Sequence, residues 1–183
     1  NDDGTLDTTF NAAGAGGVVA GKMVIDTADT LTASGVDVVG TTIFVSGSFS
    51  SAANVGDFLV AKVLNSGSVD TTFGNSGSGF ANFGFGAGRV DAAKSIDAAD
   101  TSNIYVAGFT SNAGVQDWAI ARLDLSGNVN GLDGDGKVDF DPDILDGNHG
   151  GVANRVSDSA NAIKIDSSGR LVIAGSSGGL NDS

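Results

Sequence analysis

The sequence contains no cysteine and no glutamate, and only one proline, one histidine, one tryptophan and one tyrosine. Without cysteine the chain can form no disulfide, no cysteine nucleophile and no zinc–thiolate site. All 22 acidic residues are therefore aspartates, Gln116 is the one glutamine, and 29 residues are glycine. Because this set is poor in strong helix formers and rich in turn residues, the composition predicts an all-β fold.

Positive charge is also scarce, since 9 lysines and arginines face 22 aspartates and give a net charge of −13. This balance opposes binding to nucleic acid or to an anionic membrane, and it suits divalent cations. No apolar run approaches the ~18 residues of a membrane-spanning helix, and no basic-then-apolar leader is present. We therefore predict no nucleic-acid partner and no membrane insertion, and we expect any export signal to lie outside this sequence.

One short motif returns along the chain. Residues 4–10 read GTLDTTF, residues 67–73 read GSVDTTF, and a worn copy begins at Gly127 with Leu132 in place of the phenylalanine. The copies start 63 and then 60 residues apart, which is typical of a repeat array. At 40% hydrophobic residues, residues 1–183 can form a single repeat domain, with units of approximately 4–66, 67–126 and 127–183.

The motif itself predicts a structural corner. The carboxylate of Asp7 can fold back onto the backbone N–H two residues further on, and Leu6 and Phe10 can then face the same side of one tight turn. None of these residues needs a ligand to explain it.

Between the corners, four stretches per unit show the alternation of β-strands. They are 18–25, 35–39, 42–47 and 57–64 in the first unit, then 80–90, 93–98, 104–108 and 117–123, then 137–140, 161–165 and 170–175 in the third. The third unit lacks its last strand. We predict an all-β, β-propeller-like array of about three four-stranded blades with the last blade incomplete, and a β-solenoid is the alternative. An open blade edge predicts self-assembly, a protein partner or a donated strand.

These motifs together resemble the bacterial delta-60 repeat. The resemblance rests on the Leu-Asp-Thr-Thr-Phe corner, on the Ile/Leu-x-Val-x-Gly strands that end at Gly47 and Gly108, and on the Asp-aromatic strands that begin at Asp57 and Asp117. It covers two good copies and one degenerate copy. It implies a β-propeller-like repeat of a secreted or cell-surface bacterial protein, and it carries no activity. We therefore predict a non-catalytic structural or adhesive module; the alternative is a lectin-like or glycoside-processing propeller with a carbohydrate site.

The sharpest chemical candidate is an acidic run in the worn third copy. Aspartates joined by glycines can bring hard oxygen ligands to one calcium ion. The run contains Asp133, Asp135, Asp139, Asp141 and Asp143, which are the predicted ligands. The spacing is not that of an EF-hand, since no glutamate closes the loop. The alternative interpretation is a turn at Asp135 and Gly136, followed by a strand whose solvent-exposed face carries Asp139, Asp141 and Asp143.

Catalytic patterns are weak. His149 is the single histidine and falls in an insertion between Asp141 and Ala153, and no Gly-x-Ser-x-Gly elbow accompanies it. Trp118, Tyr105 and Phe109 can stack on a sugar ring, but their strand positions favour core packing. We predict no catalytic residue, no enzyme activity and no cofactor other than the calcium.

Overall fold

Most of the alternating stretches of the sequence form strands. The computed structural model describes residues 1–14, 19–25, 29–51, 54–74, 77–98, 102–142 and 157–178. Within them lie ten strands. They are β1 (Thr30–Val39), β2 (Thr42–Ser51), β3 (Asn54–Val63), β4 (Phe80–Phe83), β5 (Val90–Asp97), β6 (Asn103–Asn112), β7 (Val115–Asp124), β8 (Lys137–Phe140), β9 (Ser159–Ile165) and β10 (Leu171–Ser176). In these residues no helix is long and apolar enough to cross a membrane.

The strands form three antiparallel sheets in chain order. The first sheet has the order β1-β2-β3-β4, the second β5-β6-β7-β8, and the third pairs β10 with β9. The prediction of an all-β, propeller-like array is confirmed. The third sheet has two strands in the described residues, where the other two sheets have four.

Each four-stranded sheet crosses a repeat boundary. β4 follows the corner at residues 67–73, and yet it pairs with β3, with Phe58 opposite Phe83. β8 joins β7 in the same way after the worn corner, with Trp118 opposite Phe140. The expectation that the four strands of one sequence unit make one blade is therefore wrong, because the corner returns the chain to the blade that it has just left.

This connection also corrects one predicted strand. The stretch 18–25 was expected to be a strand, but residues 19–25 contain none. Its counterpart β4 is a strand because β3 precedes it and supplies the hydrogen-bonding partner. Within the described residues, no strand precedes residues 19–25 in that position.

A glycine within each of β2, β6 and β10 allows two strands to approach closely. The expectation that the first two strands end at Gly47 and Gly108 is wrong, because β2 continues to Ser51 and β6 to Asn112. A Cβ atom would lie 1.7 Å from the Thr32 carbonyl oxygen at Gly47, 2.0 Å from that of Ala92 at Gly108, and 2.1 Å from that of Ser159 at Gly175. The strand opposite the glycine has a β-bulge at this point. In β1, opposite Gly47, the bulge lies between Ala33 and Gly35, and in β5, opposite Gly108, it lies between Ala93 and Ser95. The repeated glycine is therefore a packing requirement of each sheet.

The sheets pack face to face in sequence. One core cluster joins the first and second sheets through Phe44, Phe58 and Val60 on one side and Ile96 and Val106 on the other. A second cluster joins the second and third sheets, and it includes Ile120 and Ile163. Tyr105 and Trp118 pack against this second cluster, and Trp118 lies 5.7 Å from Phe140 between ring centroids. The core-packing interpretation of these two aromatic residues is confirmed.

Candidate functional site

The repeated corner has the geometry that its sequence predicts. Asp7 Oδ1 accepts hydrogen bonds from the Thr9 backbone N–H at 2.9 Å and from the Thr9 hydroxyl at 2.6 Å. Asp70 Oδ1 accepts the same two bonds from Thr72, at 3.0 and 2.6 Å. Lys62 Nζ also lies 2.9 Å from Asp70 Oδ2. The Thr72 hydrogen bonds first, and then Lys62, lower the pKa of Asp70 to about 2.

The degenerate third copy of the corner keeps a backbone hydrogen bond of the second copy but uses different side chains. Asn130 occupies the position of Asp70, and Arg122 occupies that of Lys62. Arg122 Nε donates to Asn130 Oδ1 at 3.3 Å and to the Asn130 carbonyl at 3.1 Å. The Asn130 N–H donates to the Arg122 carbonyl at 2.9 Å, as the Asp70 N–H does to that of Lys62 at 2.8 Å. A neutral amide has thus replaced the carboxylate, and the turn that follows is tighter, since the Leu132 N–H donates to the Asn130 carbonyl at 3.1 Å where the Phe73 N–H donates to the Asp70 carbonyl at 3.0 Å.

Within the described residues, the predicted calcium ligands do not form one close carboxylate group. Asp133 is exposed at a backbone φ of 39°. Asp135 accepts the Lys137 backbone N–H at 2.9 Å, and Asp139 forms an ion pair with Arg89 at 2.6 Å. Asp143 lies outside the described residues. The proposed ion therefore stays a prediction for this run of residues.

Asp141 alone of the predicted ligands that the structure describes belongs to a close carboxylate group. Its partners are Asp117, near the start of β7, and Asp158, directly before β9. One carboxylate oxygen from each residue lies within 4.8 Å of those of the other two. Asp117 and Asp158 are buried and Asp141 is half-buried. We call this group the carboxylate triad.

Backbone contacts between sheets position the triad. Asp141 follows β8 directly, and the pairing of Trp118 with Phe140 places it opposite Asp117. The Asp158 N–H donates to the Gln116 carbonyl at 2.9 Å, and Asp158 Oδ1 accepts the Gly178 N–H at 2.9 Å. Sequence reasoning missed Asp117 and Asp158 because they meet only when the third sheet packs on the second. The available signal was that each matches an aspartate one repeat earlier, at Asp57 and Asp91.

That earlier pair forms an equivalent junction between the first and second sheets. Gly84 stands where the later junction has Asp141, directly after β4. A Cβ atom at Gly84 would lie 2.5 Å from Asp57 Oδ1 and 3.1 Å from Asp91 Oδ2. Burial, and secondarily the charge of Asp57, raise the pKa of Asp91, while the Phe85 N–H donates to its Oδ2 at 2.7 Å. The first junction thus has two carboxylates where the second has three.

Comparison with known proteins bears on the repeats themselves. Residues 42–73 and 103–130 match the sequence model of a family described as a domain of unknown function (DUF5122) beta-propeller. Both are β-propeller-like repeats. Each match covers the two long central strands of one sheet and the corner that follows, and the finer resemblance to the delta-60 repeat stays a prediction. No curated protein matches the chain.

The first propeller-like sheet has one face that is incompletely covered. A groove of ≈ 400 Å³ runs over this face and is lined mainly by apolar side chains. The sheet contributes Leu31, Ile43, Val45, Leu59, Ala61 and Val63, and the segment before it contributes Phe10, Met23 and Ile25. We call this surface the open face.

Of the remaining candidates from the sequence, the structure describes Phe109 and Trp118. His149 lies outside the described residues. Phe109 packs beneath Lys94, whose Nζ lies 5.4 Å from the ring centroid. Trp118 donates from its indole nitrogen to the Ser176 carbonyl at 3.0 Å, which ties this aromatic side chain to the third sheet.

Proposed function

We propose that this chain is a non-catalytic structural and adhesive module of a secreted or cell-surface bacterial protein, and that it assembles by stacking blades of its own repeat. The observation that carries the proposal is the open face of the first sheet. Two of its residues, Ile43 and Val45, are half-buried at positions that are fully buried between blades in the second sheet. The occupant that fits this face is therefore another blade of the same repeat.

The equivalence follows from strand register. Ile43 pairs with Val63 in the first sheet, and Ile104 pairs with Leu123 at the same place in the second. Val45 likewise corresponds to Val106. Ile104, Val106 and Leu123 are each 0% exposed because the first sheet covers them, whereas Ile43 and Val45 stay half-buried.

The opposite end of the array offers the complementary face. Phe44 on the first sheet packs into the second sheet, and its counterpart on the second sheet, Tyr105, packs against the third. The counterpart on β10 is Val172, which is 53% exposed. A blade that docks on the open face of one copy can thus be the third sheet of another, in a head-to-tail contact. Such a contact is heterologous and can propagate.

The apolar surface that two stacked blades would remove from water can supply the free energy of association. Contact between apolar side chains is worth about 25 cal/mol for each Å² removed from water. The charge of −13 opposes association at low salt, because like-charged copies repel each other and this repulsion is screened by salt. We therefore expect association to strengthen as the salt concentration rises.

The test is the mass in solution over a concentration series, measured by light scattering after size exclusion at moderate salt. The wild-type chain of 18.0 kDa is expected to form species larger than a monomer. Val45→Asp in the open face and Val172→Asp on the opposite face should each block propagation, and Val36→Asp, at a 65% exposed position of β1, is the control that should not.

Mixing the two blocked variants sharpens the test. Val45→Asp keeps an intact third-sheet face and Val172→Asp keeps an intact open face, so an equimolar mixture should form a heterodimer and nothing larger. A wild-type chain that stays monomeric at all concentrations would reject stacking. Equal association of Val45→Asp and wild type would reject the open face as its site.

A further inference from the structure

The repeated corners also bind one another directly. The Asn11 N–H, just after the first corner, donates to the Ser66 carbonyl just before the second corner at 2.8 Å. The Gly74 N–H, just after the second corner, donates to the Ser126 carbonyl just before the third corner, also at 2.8 Å. The same backbone hydrogen bond therefore joins each corner to the next, and we call this row of contacts the corner ladder.

A glycine makes room for each contact of the ladder. Gly67 and Gly127, at φ +81° and +89°, are both buried. A Cβ atom at Gly67 would lie 2.5 Å from the Asn11 backbone nitrogen, and one at Gly127 would lie 2.8 Å from that of Gly74. Because packed atoms do not approach each other this closely, a larger residue at either position would push two corners apart.

The first corner has the same turn, but its glycine is exposed. The Gly4 N–H donates to the Asn1 carbonyl at 3.0 Å, as the Gly67 N–H does to that of Leu64 at 2.9 Å. Gly4 has a φ of +80°, and among the described residues a Cβ atom there would meet nothing within 4 Å. The Asp3 backbone carbonyl corresponds to the acceptors of the ladder, and within the described residues no backbone N–H donates to it. The first corner thus presents the acceptor side of a ladder contact.

The third corner presents the donor side. Asp133 follows Leu132 as Gly74 follows Phe73, and like Gly74 it has a positive φ, at 39°. Asp133 is exposed, and in the part of the chain that the structure describes its N–H donates to no backbone carbonyl. The described part of the ladder is therefore left with one donor, at Asp133, and one acceptor, at Asp3.

We propose that the corner ladder continues between copies of this chain, with the Asp133 N–H of one copy donating to the Asp3 carbonyl of the next and packing on its Gly4. This contact rests on the proposed function, since it belongs to the interface between stacked blades. A second copy is the partner that fits, because the chain makes the same contact twice within itself, with the same backbone groups and the same glycine turn.

The direction of the ladder agrees with that of the stacked sheets. Within the chain, an earlier corner donates to a later one. The first corner lies at the open face, which Phe10 lines, and Leu132 of the third corner packs against the cluster between the second and third sheets. Joining the third corner of one copy to the first corner of another therefore sets the third sheet of the former toward the open face of the latter.

The residue at the donor position sets the charge of this contact. Asn11 is neutral and Gly74 has no side chain, whereas Asp133 brings a carboxylate toward that of Asp3. Like charges near each other weaken association, and salt screens the repulsion. Asp133→Asn gives the third corner the residue of the first, and asparagine tolerates the positive φ at this position. We therefore expect Asp133→Asn to strengthen the contact at low salt.

The experiment uses the heterodimer of Val45→Asp and Val172→Asp, in which each chain contributes one defined side. The Val172→Asp chain supplies the open face with Gly4, and the Val45→Asp chain supplies the third sheet with Asp133. Gly4→Ala in the Val172→Asp chain should raise the dissociation constant more than about tenfold, because the new Cβ atom meets the backbone of the other chain. The same substitution in the Val45→Asp chain is the matched control. It should change the constant by less than about twofold, since that corner lies outside the interface, and sedimentation velocity over a dilution series measures both.

Two further measurements complete the test. Circular dichroism should show that both chains with Gly4→Ala fold, since the added Cβ atom has open space within a single copy. Asp133→Asn in the Val45→Asp chain should lower the dissociation constant about twofold or more at low salt and have less effect at high salt. If the heterodimer forms but Gly4→Ala weakens it equally from both chains, or from neither, the ladder contact is wrong and the stacking of blades stands. If no heterodimer forms, the stacking is rejected and the ladder contact with it.

Discussion

Replacing Phe73 by alanine tests whether the repeated corner anchors the blades. Phe73 is 1% exposed and its ring lies 6.1 Å from that of Phe44 between centroids. Its loss removes a whole ring from a packed core, which typically costs about 3–5 kcal/mol in the free energy of unfolding. The position is also crowded, since a Cβ atom at Gly127 would lie 3.1 Å from Phe73 Cζ.

The matched control is Phe10→Ala in the first copy of the corner. Phe10 has the same sequence context, but it is only half-buried and lines the open face. Because part of its ring already contacts water, we expect a cost of about 1 kcal/mol. The two variants therefore separate the effect of the motif from that of the packing around it.

Urea unfolding followed by Trp118 fluorescence measures both costs. Trp118 reports on the second and third sheets through its contacts with Phe140 and Ser176. A chain that loses about 3 kcal/mol or more on Phe73→Ala should reach its midpoint about 1–2 M earlier in urea. Equal losses for both variants, or a loss below 1 kcal/mol for Phe73→Ala, would refute the assignment of this residue as a core anchor.

Two further predictions concern the backbone and the corner. Gly47→Ala should cost about 3 kcal/mol or prevent folding, because its Cβ atom would meet the Thr32 carbonyl oxygen at 1.7 Å. Gly40→Ala, at φ +61° with open space around it, should cost only about 1 kcal/mol in melting experiments. Asp70→Asn should cost about 1 kcal/mol at pH 7. Since the pKa of Asp70 is lowered from 3.8 to about 2, the advantage of the wild type is complete above about pH 4 and disappears as the pH falls through about 2. Chemical unfolding across this pH range checks it, and an advantage of wild type over Asp70→Asn that does not change between pH 5 and 2 would contradict it.

The sequence predicted the parts of this protein that depend on near neighbours along the chain. The hydrogen bonds from Thr9 and Thr72 to the aspartates two residues earlier need only local geometry. The corner could therefore be recognised from four or five consecutive residues of the sequence. The alternation of apolar residues likewise located β2, β3, β6 and β7. The all-β class followed from composition, because glycine-rich and glutamate-free segments favour strands and turns over helices.

Sequence patterns did not show which segments meet. The assignment of β4 to the sheet of β3, and not to the unit in which it lies, depends on the path of the corner and on backbone pairing between distant residues. The run of aspartates from 133 to 143 predicts one site, which stays a prediction, but its pattern did not show that Asp139 forms an ion pair with Arg89. Asp141 instead joins Asp117 and Asp158, which lie 24 residues before it and 17 after it.

The repeat by itself therefore determined the corner and the class of fold, since each arises from steric and hydrogen-bonding rules that act within a few residues. Only the tertiary structure decided that Ile43 and Val45 of the first sheet stay half-buried and that three separate aspartates share one junction. Both depend on how successive sheets pack, and packing joins residues that no local pattern relates.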